Sequence, residues 1–277
     1  MSLSRRHFLA LSAALPGALT ARASTSIPVG LELYSVRGEL QKDPQATVRA
    51  VAKMGYQVVE FYGPYFDWTE EQTKEMRKLL DDLNIRCLST HNDEKFLNEK
   101  NLSRARDRNL TLGSKYIVQS STDPKTTLDQ WKPLADRLNA IAEKIEPAGL
   151  KVGYHNHQPE FTAIGNKRPM DILAENTKPS VMLQLDVGTC LEVGSDPVKW
   201  IHAHPGRIHS IHCKDWAPGK GYSVLFGEGV ADWNGIIEAA ESGGGVEYYL
   251  IEQEGSRYSE FETAQKCLDA FRKTHHS

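Results

Sequence analysis

Short runs rich in β-branched and aromatic residues alternate along this chain with longer stretches of helical periodicity, and no other feature constrains the fold as much. The extended runs fall at 29–34, 58–61, 86–90, 116–119, 151–155, 181–186, 208–214 and 248–252. Helical patterns separate them, at 69–83, 128–148, 169–176, 197–203, 233–240 and 261–272. A further helix is set up by Asp43-Pro44, where the carboxylate accepts from orphan amides and proline suits the first turn, and it ends at Gly55. Strand-helix repetition of this kind builds a parallel sheet. About eight strands are what a closed (β/α)8 barrel of the α/β class requires. No glycine-rich fingerprint follows the first strand, which argues against a doubly wound dinucleotide-binding sheet.

No Pro/Gly/Ser-rich linker, charge block or exact repeat divides the chain after about residue 27, so a single domain over 27–277 is expected. A net charge of -3 leaves no global positive field for a nucleic-acid backbone or an anionic membrane. Nucleic acid is therefore excluded as an expected partner. Residues 1–26 read as an address: Ser4-Arg5-Arg6-His7-Phe8-Leu9, a weakly apolar stretch to Thr20, then Ala21-Arg22-Ala23. The paired arginines ahead of Phe-Leu resemble a twin-arginine export signal, which implies a periplasmic or secreted protein. Pro16 and Gly17 interrupt a stretch already too short to span a bilayer, so no stable membrane anchor is expected. Cys87, Cys190, Cys213 and Cys267 are widely spaced with no metal-type pattern and read as buried thiols.

Polar residues gather at the carboxyl ends of the strands, where a barrel of this type builds its active site. In Ser210-Ile211-His212-Cys213-Lys214, period-two geometry places Ser210, His212 and Lys214 on one face. Gln184 and Asp186 likewise share a face, as do Leu250 and Glu252. An aspartate, a histidine and a glutamate from adjacent strands form a mixed nitrogen and oxygen set suited to a divalent cation, with Mn²⁺ first and Zn²⁺, Co²⁺, Fe²⁺ or Mg²⁺ as alternatives. Such an ion would polarise a sugar carbonyl and its neighbouring hydroxyl.

These residues carry a family resemblance. Asp186-Val187-Gly188-Thr189, Ile211-His212-Cys213-Lys214-Asp215 and Ile251-Glu252 resemble the second half of the xylose isomerase-like TIM barrels. The opening Gly30-Leu31-Glu32-Leu33-Tyr34-Ser35-Val36-Arg37 and the segment from Gly55-Tyr56 to Val59-Glu60 are similar to that group as well. The group includes sugar epimerases, inosose dehydratases, dehydroshikimate dehydratases and endonuclease IV-like nucleases, so the resemblance implies fold more sharply than reaction. It implies Asp186, His212 and Glu252 as metal ligands. Where the epimerases end the fifth strand in Glu, this chain has Tyr154-His155-Asn156-His157 followed by Glu160. His155 is taken as the fourth ligand, with Glu160 or His157 as alternatives. Thr189 stands where epimerases place a substrate-contacting His, and with His155 in place of the fifth-strand Glu the paired carboxylates of simple epimerisation are not both present.

The expected catalytic groups are His157 as general base, Lys214 as oxyanion stabiliser and Glu252. Glu32, Glu60, His91, Asn156, Glu160, Trp216 and Glu254 are expected to contact substrate. The expected activity is metal-dependent isomerisation or epimerisation of an unphosphorylated sugar or keto-sugar, by proton abstraction next to a carbonyl. The alternative on the same scaffold is β-elimination from a 3-keto-glycoside, as in a lyase or hydratase. A non-catalytic periplasmic sugar-binding barrel stays open, as does a homodimer. A nuclease would need a larger metal cluster and a basic groove, and neither is visible.

Overall fold

A computed structural model describes residues 27–275. The export-signal segment expected at 1–26 lies outside the described residues. Eight parallel strands close into a barrel in chain order: β1 (Val29–Glu32), β2 (Val58–Phe61), β3 (Arg86–Asn92), β4 (Tyr116–Gln119), β5 (Lys151–His155), β6 (Met182–Asp186), β7 (Ser210–Cys213) and β8 (Tyr248–Ile251). Parallel neighbours need crossovers, and helices supply them on the outside, for example Pro44–Met54, Glu70–Asp82, Lys132–Ile145 and Glu260–His275. No described helix is long and apolar enough to cross a membrane.

The local chemistry of the helix starts is explicit. The Asp43 carboxylate accepts from Ala46 N at 2.9 Å, and Thr69 forms a reciprocal capping box with Gln72. The outward residues of the strands pack with the helices into one large core. The inward residues form a second, smaller cluster of Val58, Tyr116, Val118, Met182, Tyr248 and Leu250 that plugs the lower barrel. Alternation then puts the next inward residue of each strand one layer higher, at the carboxyl end. There the interior changes from apolar to polar, with Glu60, Gln184, Asp186 and His212 all fully buried. The four cysteines are free and buried, as their surroundings in sequence suggest.

Candidate active site

The upper layer converges on one point. Donor atoms of His155 (β5), Asp186 (β6), His212 (β7) and Glu252, just past β8, all lie within 4.8 Å of one another. Register explains the convergence, because Asp186 pairs with His212 and His155 pairs with Gln184 across neighbouring strands. His212 Nδ1 lies 2.6 Å from Glu252 Oε2, and His212 Nε2 lies 2.7 Å from Glu60 Oε2. His155 Nε2 faces Asp186 Oδ2 at 3.8 Å.

The Asp186 carboxylate provides a test of whether these residues suit a cation. Oδ1 caps the following helix by accepting from Thr189 N at 2.9 Å. Oδ2 is buried without a hydrogen-bond partner among the described residues. Lys214 Nζ stands 2.8 Å from it as its ion-pair partner. A buried carboxylate needs positive charge beside it, which the Lys214 ammonium supplies here and a divalent cation would supply more strongly. With two imidazoles and a second carboxylate converging beside it, the donor set fits a divalent metal.

Burial opposes charge throughout this layer, and the neighbours decide which groups keep it. Burial alone would lower the His212 pKa, but Glu60 and Glu252 outweigh it and hold the value near 10. Burial likewise opposes the Lys214 ammonium, and Asp186, Glu252 and Glu254 overcome it, raising its pKa well above the usual value. Glu252 is held far below the usual carboxylate range, against burial, by Lys214 and His212. Burial pushes His155 well down, helped by His212 and His91, and it also lowers His91. Glu32 is raised well above the ordinary value by burial and by the neighbouring charges of Glu60 and Glu252. Burial and neighbouring groups thus disfavour charge on His91, His155 and Glu32 and favour it on His212, Lys214 and Glu252.

Above it opens a cavity of about 880 Å³. Glu32, His91, His155, His157, Glu252 and Glu254 line it, together with Tyr34, Tyr62, Gln158, Thr189 and Tyr222. Four expected substrate contacts are placed elsewhere. Glu60 is 0% exposed and lies beneath the donors, bonded to His212. Asn156 turns away from the cavity: its Oδ1 accepts from Asp186 N at 2.9 Å and its Nδ2 donates to Thr189 Oγ1 at 2.9 Å, so it fixes the end of β6. Glu160 accepts from Tyr154 Oη at 2.6 Å and from His157 N at 2.8 Å, so it positions the His157 backbone and is not a donor to the centre. Trp216 does not line the cavity; Tyr222 supplies the aromatic wall, with Lys214 Nζ 4.9 Å from its ring centre. Lys214 itself is 1% exposed, so its charge acts on the carboxylates and does not reach the open cavity.

Asp215, which follows Lys214, organises the loop after β7. Its carboxylate accepts from the backbone of Trp216, Gly227, Gly229 and Ala231 and from Trp233 Nε1. A Cβ on Gly229 would lie 2.0 Å from Asp215 Oδ1, so only glycine allows that approach.

Comparison with known proteins agrees with this geometry. The model of the xylose isomerase-like TIM barrel matches residues 48–274. The chain belongs to this family. Among its relatives, an inosose dehydratase from Geobacillus thermodenitrificans (strain NG80-2) is 28% identical over 171 residues, which is 54% of this chain and 57% of that enzyme. The chain thus spans little more than half the length of that curated relative. A crystal structure of a sugar phosphate isomerase/epimerase from Parabacteroides distasonis ATCC 8503 is similar at a TM-score of 0.75 and 26% identity, covering 94% of this chain and 98% of that one. The IOLI protein, crystallised with a bound zinc atom, shares the fold at a TM-score of 0.69 and 18% identity, covering 89% of this chain and 96% of that one.

Proposed function

We propose that this xylose isomerase-like barrel removes the proton next to the carbonyl of an unphosphorylated keto-sugar and expels the substituent at the β-carbon, as a metal-dependent lyase. The observation that carries the reading is the donor set of His155, Asp186, His212 and Glu252 at the floor of a polar cavity. A divalent cation bound there would act as a Lewis acid toward a substrate carbonyl. Mn²⁺ is the first ion to test, and the zinc of the IOLI protein makes Zn²⁺ the second.

The chain's own residues supply the proton transfers. His157 stands on the cavity wall, edge-on to His155 with ring centres 5.0 Å apart, its backbone pinned by Glu160. It is the base for the C–H bond. Glu32, whose pKa is raised well above the usual value by burial and by Glu60 and Glu252, is the acid for the departing oxygen. The α C–H bond and the β C–O bond break, a C=C bond forms in conjugation with the ketone, and the leaving group departs as an alcohol or water. Elimination is favoured over epimerisation because β5 ends in imidazole where the epimerases have a carboxylate, and because the aligned curated relative is a dehydratase. Isomerisation is the second reading, supported by the Parabacteroides distasonis neighbour across 94% of the chain.

Charge supports a substrate without phosphate. Asp67, Asp93, Glu252 and Glu254 face the cavity against the single ammonium of Lys95. A neutral glycoside also suits a protein exported through the twin-arginine route, which Arg5-Arg6 supports. The test is to load the protein with Mn²⁺ and incubate it in D₂O with a 3-keto-glucoside and with ketohexoses. Release of the aglycone with a new conjugated-enone absorbance is the expected result. Deuterium entering a ketohexose instead would move the assignment to isomerisation. Neither aglycone release nor exchange in any substrate would remove the catalytic reading and leave a sugar-binding barrel.

A further inference from the structure

The buried amide of Gln184 sits at the centre of the polar layer, 0% exposed, and all its hydrogen-bonding capacity is used. Its Nε2 lies 3.1 Å from Glu60 Oε1 and 3.2 Å from Ser210 Oγ. Its Oε1 lies 2.7 Å from His91 Nε2 and 3.0 Å from His155 Nδ1. Glu60 Oε1 accepts from the amide nitrogen, which turns the NH₂ end of Gln184 toward the carboxylate. That fixes which way Gln184 points and turns its oxygen toward both histidines. An oxygen facing two ring nitrogens in turn requires each of them to carry a proton.

We propose that Glu60, acting through Gln184, sets the proton positions of the histidine cluster: His91 is held as the Nε2–H tautomer and His155 as the Nδ1–H tautomer. Glu60 also reaches the cluster directly, through Oε2 at 2.7 Å from His212 Nε2 and 3.2 Å from His91 Nε2. The consequence for His155 is specific. With its proton on Nδ1, the lone pair sits on Nε2, the atom that faces Asp186 Oδ2. In His91 the lone pair sits on Nδ1, which faces Glu32 Oε1 at 3.6 Å. Gln184 and Glu60 are therefore positioning residues, which aim lone pairs without touching metal or substrate.

The inference does not depend on which reaction the site performs. It is tested on the full chain in chelator, labelled with ¹⁵N-histidine, by long-range ¹H–¹⁵N correlation at a pH where His91 and His155 are neutral. Wild type should show the Nδ1–H pattern for His155, the form disfavoured in free imidazole, and Nε2–H for His91. Gln184→Leu should shift His155 toward Nε2–H and weaken Mn²⁺ binding about 10–100-fold by calorimetry. Glu60→Gln, whose amide can turn either way, should give mixed tautomers at both rings. An Nε2–H pattern for His155 in wild type overturns the proposal without any variant having to fold. Wild-type tautomers persisting in either folded variant overturn it as well.

Discussion

Lys214→Met should destabilise the metal-free protein strongly and the metal-loaded protein much less. The ammonium lies 2.8 Å from Asp186 Oδ2, 3.4 Å from Glu252 Oε1 and 2.8 Å from Glu254 Oε1. Glu254 is 40% exposed on its side chain and water can screen it, so the other two carboxylates set the size of the effect. Removing one partner of a buried ion pair costs about 3–5 kcal/mol, because the charge left behind has no solvent. For a barrel of this size that is a fall in Tm of roughly 6–20 °C, at about 2–4 °C per kcal/mol. Methionine keeps much of the lysine's length, so little of the loss is cavity formation. A divalent cation provides the missing positive charge, and in the variant it no longer competes with an ammonium for Asp186. The Mn²⁺-induced rise in Tm should therefore be larger in the variant than in wild type, by about 1.4 kcal/mol for each tenfold gain in affinity. Differential scanning calorimetry with EDTA and with saturating Mn²⁺ measures both quantities. A loss of equal size in the two conditions would refute the argument, since it would mean that lysine and metal do not share the same carboxylates.

Three further outcomes follow from the same geometry. Asp215→Ala orphans the backbone donors of the loop after β7 and the Trp233 indole, which should cost about 3 kcal/mol after partial rehydration and open residues 216–232 to proteolysis; unchanged protease resistance would contradict it. The His212 pKa, raised from 6.5 to about 10, means that its contribution to stability is complete below pH 6.5 and is lost as pH rises through 10. The Tm in EDTA should fall over that interval and the fall should flatten with Mn²⁺; a flat EDTA profile would show that His212 is not held as a cation. Asn156→Ala should weaken Mn²⁺ binding by loosening the Asp186 backbone, whereas His157→Ala should lower kcat about 10²–10⁴-fold with metal content intact, and equal metal loss in both would merge the two roles.

The parts of the fold legible in the sequence were those where local pattern and tertiary environment agree. β2, β4 and β5 have the same limits in sequence and structure, because strands buried on both faces read as short, nearly continuous apolar runs. The first run was expected to extend to residue 34, but the Glu32 carboxylate accepts from Tyr34 N and winds Leu33–Val36 into a 3-10 turn. The helix Leu102–Leu112 has no counterpart among the helical patterns of the sequence. Its buried face includes Arg108, which bonds Phe66 O and Thr73, and Asn109, which bonds Thr90 and Tyr65. Polar side chains satisfied by distant partners erase the apolar stripe from which helical periodicity is read. Val187–Glu192 was lost for another reason: it is one short, mostly buried turn capped by a proposed metal ligand, Asp186.

The same distinction runs through the site. Asp186, His212 and Glu252 stand out because their side chains have ligand chemistry and close apolar strands. Gln184 has the same alternation as Asp186 and a neutral amide, so a search for ligands or bases passes over it, although four hydrogen bonds of the layer meet there. Tyr62 and Tyr222 come from loops, and only closure of the barrel brings them to one cavity. His155-Asn156-His157 shows why neighbours in sequence take different duties. His155 ends β5 pointing inward, Asn156 bonds across to the end of β6, and His157 caps the short helix Gln158–Phe161 at the cavity wall. The sequence reading assigns His155 to the metal and His157 to proton transfer; the structure changes Asn156, expected at the substrate and found bracing the end of β6.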